Sequence, residues 1–309
     1  MAQKAAVLEG GRFWRRCLGR GAAPAAIILA VFLTTVRPSL LAAGLPEIFR
    51  PDPHKATSSR QARENAVQSI PLDRLDEQSR AKVSSVLSEA SIFRRMPIRV
   101  TQCAPELYLF LVRHPDVVVN IWEVLGVTQL KLRQVGPDTF EVADGAGTLS
   151  TIQFLYRSHD THLIYAEGSY DGPLFTKQVR GRGILLLKTG YVREPNGRYY
   201  ITSRLDSFLH LEPAGAELLT KTFQPLVGKV ADNNFIQTAG FLGSLSKTAE
   251  VNSRGVQRLA GKLNNVQPEV RKEFAEITLR VAQKAGGLSN RTTAPQPLVA
   301  TRLEERPKR

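Results

Sequence analysis

Two histidines near a predicted hairpin turn are the first candidates for chemistry. His159 and His162 lie on either side of Asp160. A histidine beside a carboxylate can act as a general base when a nucleophile lies within hydrogen-bond reach. The sequence offers no identifiable nucleophile for this pair, and a histidine in a turn is commonly solvated. We therefore interpret both as loop residues and assign no catalytic residue.

Two glycine-rich segments could bind phosphate, but their context favours turns and strands. The segment Arg180–Gly183 lies inside a strand pattern and has no helix after it, so it lacks the helix N-terminus that a phosphate cradle uses. The segment Asp144–Gly147 is typical of a hairpin turn. Cys17 and Cys103 are the two cysteines, and no histidine–cysteine cluster accompanies them. We predict that the protein needs no metal and no cofactor.

Aromatic residues on the predicted strands are candidates for binding an apolar ligand. Strand alternation predicts that Phe154 and Tyr156 face inward with Tyr165 and Tyr199. Tyrosine combines an apolar body with a hydroxyl group, which suits an amphipathic molecule, although each residue could equally fill the core. Since few of these groups carry a permanent charge, a charged headgroup should lie at the cavity mouth. The predicted ligand-binding residues are Trp122, Phe154, Tyr156, Tyr165, Tyr199, Ser203 and Phe223.

The elements that would position these residues follow one another without interruption. Alternation predicts a first strand over Ile92–Val100, two short helices over residues 105–125, and then six strands between Val127 and Leu211. Short turns join the six strands, and Asn196–Gly197 gives the strongest hairpin signal, so the strands should form an antiparallel meander. A helical pattern over Phe223–Leu245 follows and should lie across the concave face of the sheet.

This order of elements resembles the helix-grip fold of the START-like superfamily, which includes polyketide cyclases and lipid-transfer domains. The segment Leu109–Asp116, followed by Asn120–Glu123, is similar to the helix pair of cyclase/dehydrase-type members. The resemblance covers residues 91–247 and implies an α+β fold, with a curled sheet closed on a long helix around a cavity. Pro225 departs from the pattern and predicts a kink between two helices.

The N-terminal residues 1–44 predict an export signal or an uncleaved signal anchor. Arg12, Arg15, Arg16 and Arg20 precede an apolar stretch over residues 22–36, and small residues follow at 42–44. The stretch is shorter than the roughly 20 residues of a membrane span. We expect a periplasmic or cell-envelope location. The net charge of +14 makes an anionic membrane surface a possible partner, whereas nucleic acid is not expected.

The remaining segments flank the predicted domain. Residues 45–90 read as a Pro-rich linker, extended as far as Pro71, followed by a helix over Asp73–Ala90. Residues 248–285 predict a helical extension. Its stripe Val270, Phe274, Ile277 and Val281 should dock on the domain or, as the less favoured alternative, bind a partner. Residues 286–309 read as a disordered basic tail.

Three functions fit this sequence. The leading one is an exported START-like domain that binds a hydrophobic or amphipathic, lipid-like small molecule in an internal cavity. The second is an enzyme of the cyclase/dehydrase kind, in which tyrosine hydroxyls or histidine imidazoles protonate a carbonyl substrate. The third is a cell-envelope interaction module whose cavity is packed shut.

Overall fold

One curled antiparallel sheet organises the protein. The computed structural model describes residues 55–172, 178–212 and 224–292. The strands are β1 (Ile92–Arg95), β2 (Arg99–Gln102), β3 (Lys131–Gly136), β4 (Thr139–Ala143), β5 (Thr148–Arg157), β6 (Thr161–Tyr170), β7 (Val179–Arg193) and β8 (Tyr199–Leu211). Their order across the sheet is β1-β8-β7-β6-β5-β4-β3, and β2 also pairs with β8. The predicted meander of six strands is confirmed, although β3 begins at Lys131, later than the expected Val127.

The predicted first strand is divided into two. Proline has no N–H to donate to a strand ladder. Pro97 therefore separates β1 from β2, and both short strands pair with β8 at the same edge of the sheet. Between them, the N–H of Met96 donates to the carbonyl of Leu205 at 2.8 Å. The segment therefore lies at an edge of the sheet.

Helices cover the concave face of the sheet. They are α3 (Pro105–Arg113), α4 (Pro115–Val124), α5 (Gln224–Val251), α6 (Ser253–Ala260) and α7 (Pro268–Thr292). Phe241, Leu242 and Leu245 of α5 are buried in one cluster with Ile152 and Phe154 of β5. The protein therefore has the α+β helix-grip architecture, with a long C-terminal helix packed against a curled sheet.

Pro225 does not kink the described part of the closing helix. It is the second residue of α5, where a backbone N–H would lack an intrahelical partner in any case, and the helix then runs unbroken to Val251. Phe223, with which the predicted helix began, lies outside the described residues. Because the residues before Gln224 are also outside the described structure, the predicted kink at Pro225 stays a prediction.

The convex face is covered by helices that precede the sheet. They are α1 (Arg60–Gln68) and α2 (Glu77–Glu89), with a short 3₁₀ turn over Leu72–Arg74 between them. Residues 60–68 were expected to belong to an extended linker, and this was wrong. Ser59 accepts a hydrogen bond from the N–H of Ala62 and so caps α1, while Ala62 and Ala66 are buried against the sheet.

A buried ion pair anchors this outer layer. Asp206 of β8 is fully buried, and Arg95 of β1 donates to its two carboxylate oxygens at 2.5 and 3.1 Å. Arg95 also donates to the carbonyl of Ala62 in α1, at 3.1 Å. One guanidinium thus joins the sheet edge to the first helix.

The C-terminal helices are part of the same core. Phe274, Ile277 and Val281 of α7 are buried in the cluster that includes the concave face of the sheet. Helix α7 continues through Gly286 to Thr292, so the disordered tail predicted from residue 286 is wrong for residues 286–292. In the part of the chain with a described structure, no helix combines the length and apolarity needed to cross a membrane.

Candidate functional site

A β-bulge in β5 decides which side chains face the concave side. Phe154 pairs with Ile164, and Tyr156 pairs with Leu163, so Leu155 is an extra residue in β5. Successive strand residues point to opposite faces, and one inserted residue reverses the alternation. Phe154 therefore faces the concave side, whereas Tyr156 packs against the convex cluster that contains Leu163.

Two of the predicted ligand-binding tyrosines lie on the wrong face. Tyr165 is buried in the convex cluster with Ile184, and Tyr156 packs against that cluster. The Tyr165 hydroxyl donates to Glu167 at 2.8 Å, and Lys82 of α2 lies 5.0 Å from the ring centroid. Burial, together with the neighbouring Glu167 carboxylate, raises the pKa of Tyr165 to about 12. The prediction that these tyrosines share a cavity with Phe154 is corrected.

The other predicted residues are on or near the concave face. Trp122 is 1% exposed and packs edge-on against Phe241, with ring centroids 5.5 Å apart. Tyr199 is half-buried at the end of β8, where Arg193 lies 5.7 Å from its ring centroid. Ser203 is buried beneath α3. Phe223 lies outside the described residues.

Ser203 belongs to a hydrogen-bonded group that the sequence did not reveal. The hydroxyls of Tyr108 and Ser203 are 2.7 Å apart, and the hydroxyl of Thr189 lies 3.4 Å from that of Tyr108. All three side chains are buried. Burial raises the pKa of Tyr108, and the two hydroxyl partners oppose that shift.

We expect Tyr108→Phe to lower the free energy of unfolding by about 1–2 kcal/mol, because it leaves the Ser203 hydroxyl buried without its closest partner. The double variant Tyr108→Phe with Ser203→Ala should recover part of the loss. Urea unfolding of the four proteins of this cycle measures the coupling. A zero coupling would contradict the described hydrogen bond.

An opening of about 1540 Å³ lies at the end of the sheet where β4 turns into β5. Its wall includes two neighbouring rows of paired residues. The outer row, on the convex face, is Arg133, Glu141, Thr151, Glu167, Arg182 and His210. The inner row, on the concave face, includes Leu132, Val142, Ser150, Gly168 and Gly181. Because the sheet is continuous between these rows, it divides the opening into an inner and an outer part.

The inner part has a floor of small residues. Ser150 pairs with Gly168, which pairs with Gly181. A Cβ atom at Gly168 would lie 2.5 Å from the carbonyl oxygen of Leu149, so the close approach of β5 and β6 requires glycine there. Asp116 of α4 and Val266 of the α6–α7 loop complete the inner wall. The residues of the sheet beneath the inner part are therefore small, and the residues at its sides are larger.

Two buried polar groups of this inner wall have no protein partner. The Ser150 hydroxyl and both carboxylate oxygens of Asp116 make no hydrogen bond with described residues. Asp116 is 1% exposed, and burial raises its pKa to about 6. Polar groups left unpaired inside a protein are uncommon and frequently mark functional sites.

A second buried group of polar side chains, which the sequence did not reveal, lies at the other end of β5, where that strand turns into β6. We call it the basic cluster: Arg113, His114, Arg157 and His162. His162 was interpreted as a solvated turn residue, which is wrong, because it is fully buried beside Phe154. Burial, followed by the charges of Arg113 and Arg157, lowers the pKa of His162 to about 4. Burial, followed by the charge of Arg157, lowers that of His114 to about 4.

One signal could have pointed to this cluster. The four residues Arg113–Asp116 interrupt an otherwise apolar helix pair, and three of them are ionisable. Charged residues bordered by buried apolar helices cannot all reach water. Among the described residues, no group of three or more histidine, cysteine, aspartate or glutamate side chains is arranged to hold a metal ion.

Comparisons with known proteins give likenesses at the level of the fold. No protein-family model matches the chain, and no curated protein matches it. A conserved protein from Geobacillus kaustophilus is 10% identical, with a TM-score of 0.33 over 49% of this chain and 93% of its own. The protein Ara h 8.0201 is 12% identical, with a TM-score of 0.29 over 49% and 99%. A truncated norcoclaurine synthase from Thalictrum flavum is 10% identical, with a TM-score of 0.27 over 47% and 92%.

Proposed function

We propose that this protein is a START-like domain that binds a hydrophobic or amphipathic small molecule in the inner part of the opening. The observation that carries the proposal is the low floor of Ser150, Gly168 and Gly181 on the concave face. Small side chains at these positions leave space above the sheet. The α6–α7 loop closes over that space and contributes Val266.

The chemistry of the inner wall fits a mostly apolar ligand with a polar group. Leu132, Val142 and Val266 supply apolar surface, and the Ser150 hydroxyl and the Asp116 carboxyl supply unpaired polar atoms. Ligand sites commonly combine an apolar lining with a few polar groups that fix orientation. Burial of apolar ligand surface contributes about 25 cal/mol per Å² before the costs of ordering.

The loop that closes the space is held by hydrogen bonds. Asn265 donates its side-chain amide to Glu123 of α4 at 3.0 Å, and its backbone N–H donates to the side-chain oxygen of Asn120 at 3.3 Å. Lys131 of β3 forms an ion pair with the same Glu123. These contacts join the loop, helix α4 and the free edge of the sheet, so the shape of the inner part is set before a ligand binds.

Two neighbouring substitutions test which face of the sheet binds. We expect Ser150→Phe to weaken binding of a fluorescent fatty-acid probe at least tenfold, because the new ring fills the inner part. Thr151→Phe, one residue along β5, points to the opposite face and should change the affinity less than twofold. Probe titration by fluorescence, with circular dichroism to verify folding, makes the comparison. Equal affinities in wild type and both variants would defeat the proposal and favour the packed-shut module.

The natural ligand can be sought directly. Mass spectrometry of organic extracts from natively purified protein should show an amphipathic molecule in near-stoichiometric amount. The same extract from the Ser150→Phe variant is the matched control and should be depleted of it. A molecule retained equally by both proteins would be assigned to the outer part of the opening or to the surface.

We also propose that the domain acts in the cell envelope. The support is the sequence pattern of residues 1–44, with basic residues before an apolar stretch, and these residues lie outside the described structure. The high positive charge of the chain would favour contact with an anionic membrane surface. Cell fractionation with an antibody against the folded domain tests the location, and full-length protein confined to the cytosol would refute it.

A further inference from the structure

The basic cluster lies where a helix corner meets a hairpin. Helices α3 and α4 join at His114, and Arg113 there directs its Nη2 atom toward the carbonyl of Ser158 in the β5–β6 turn, at 3.5 Å. Arg157 and His162 are paired residues on β5 and β6. The guanidinium carbon of Arg157 lies 4.0 Å from the ring centroid of Phe154, so this arginine makes a cation–π contact with the ring.

The cluster contains an excess of unpaired N–H donors. The Nε atoms of Arg113 and Arg157 are buried without a hydrogen-bond partner among the described residues. Both ring nitrogens of His162 are also buried without a hydrogen-bond partner, and one of them carries a hydrogen in the neutral ring. The Nη2 atom of Arg157 lies 3.1 Å from an oxygen of Asp138 but makes no hydrogen bond of acceptable geometry.

The neighbouring acids do not supply the missing acceptors. Asp160 accepts hydrogen bonds from the Ser158 and Thr161 hydroxyls, and Asp138 is half-exposed at the β3–β4 turn. Asp116 of α4 makes no hydrogen bond to the cluster, although both of its oxygens are buried. In the part of the chain that the structure describes, Arg113 has no ion-pair partner. The charges of Asp138 and Asp116 both act on Arg157, but neither carboxylate accepts a hydrogen bond from its Nε–H, and the Nε–H of Arg113 is unpaired as well.

We propose that the basic cluster binds an oxyanion group, a carboxylate or a phosphate, between the α3–α4 corner and the β5–β6 turn. The oxygens of such a group would accept hydrogen bonds from Arg113, Arg157 and His162. Guanidinium groups present parallel donors that match a planar carboxylate or a face of a phosphate. The cost of removing the oxyanion from water is offset because its oxygens would accept hydrogen bonds from donors that are already buried and unpaired.

The site is separate from the small-residue floor. The residues of β5 that line the opening are Leu149–Thr151, near the start of the strand, whereas Arg157 is its last residue. The cluster faces the turn end, where half-buried Arg113 and His114 leave an approach from solvent. This inference goes beyond the proposed apolar site.

The test uses the full chain and two simple anions. Sodium phosphate and sodium acetate are titrated separately, with chloride exchanged to hold ionic strength constant, and the imidazole resonances are followed by NMR. We expect saturable shifts of the His114 and His162 resonances with at least one anion. His210, which lies against Glu89 on the convex face, is the internal control and should not shift saturably. The anion that saturates at the lower concentration identifies the preferred group.

Variants decide whether the cluster is responsible. Arg157→Gln and Arg113→Gln should each weaken the anion at least tenfold, and Arg157→Lys should weaken it less than Arg157→Gln. Arg60→Gln, at an exposed arginine of α1, removes the same charge elsewhere and should leave the affinity unchanged. If Arg157→Gln does not fold, Arg113→Gln carries the same test. Shifts that grow linearly with both anions, or that persist in Arg113→Gln, would overturn the proposal.

Discussion

Asp116→Asn should raise the free energy of unfolding at pH 7.5 by about 3 kcal/mol. The wild-type carboxyl is 1% exposed, and its burial outweighs the nearby backbone N–H groups of Asp116 and Val117 and the charge of Arg157, so ionising it in the folded protein is unfavourable. Its pKa of about 6 exceeds the ordinary value of 3.8, and each pKa unit corresponds to about 1.4 kcal/mol. Asparagine has nearly the same shape and never ionises, so the variant avoids this cost.

The pH dependence of this gain has a definite sign. A carboxyl whose pKa is raised on folding lowers stability above the folded pKa, and this cost disappears as the pH falls toward the unfolded pKa. The advantage of the variant should therefore be largest above pH 6 and should vanish near pH 4. Urea unfolding at intervals between pH 4 and 8 measures it. A variant that is less stable than wild type at pH 7.5 would show that Asp116 ionises with a partner.

The two histidines of the basic cluster change the stability with pH in the opposite direction to Asp116. The pKa values of His114 and His162 are lowered to about 4, so their contribution is fully present above about pH 6.5 and is lost as the pH falls toward 4. In wild type the protonation of Asp116 partly offsets this acid loss. Asp116→Asn lacks the offset and should lose stability more steeply between pH 6.5 and 4. Asp73→Asn, at an exposed carboxyl between α1 and α2, is the control and should follow the wild-type slope.

A gain in stability on removing a side chain would itself point to function. Residues held in unfavourable environments are retained when they serve binding or catalysis, and their replacement commonly stabilises the fold. Probe binding by Asp116→Asn separates the possibilities. A weaker affinity in a more stable protein would place Asp116 among the ligand contacts. An unchanged affinity would leave it outside them.

The sequence was sufficient for the sheet because its signals are local. Short turns such as Asn196–Gly197 force neighbouring strands to be antiparallel, and alternation marks each strand. It was insufficient for the faces of β5, because Leu155 is apolar and fits either face. The bulge there shifts Tyr156 from one face to the other without any change in the pattern of apolar residues.

The dependence of sequence prediction on local signals also explains why the basic cluster was not predicted. His162 follows a polar turn and lies at the start of β6, near the end of α3, which is distant in sequence. Trp122 and Phe154, by contrast, are buried in the core cluster between the helices and the sheet, as the apolar pattern of their own helix and strand indicates. Contacts between distant segments determined which polar residues became buried, and no local pattern records them.

The largest loss of stability is expected for a substitution in the C-terminal helix α7. Phe274 of α7 is fully buried, and its ring is nearly parallel to that of Phe110 in α3, with centroids 6.1 Å apart. Helix α7 also packs along α5, so this ring contacts the same core as the grip. We expect Phe274→Ala to lower the free energy of unfolding by about 3–5 kcal/mol, since the substitution removes a buried ring and leaves a cavity.

The matched control lies on the same helix. Leu279 is 44% exposed, and Leu279→Ala should change the free energy of unfolding by only about 0.5 kcal/mol. Because α7 and the sheet share one core, two signals should be lost together in the Phe274→Ala variant: far-ultraviolet circular dichroism and the fluorescence of Trp122, measured with Trp14→Phe in the background. An earlier transition seen by circular dichroism alone would instead mean that residues 248–285 unfold independently of the grip. In that case α7 would be an appended helix, and the inner part of the opening would retain its shape without it.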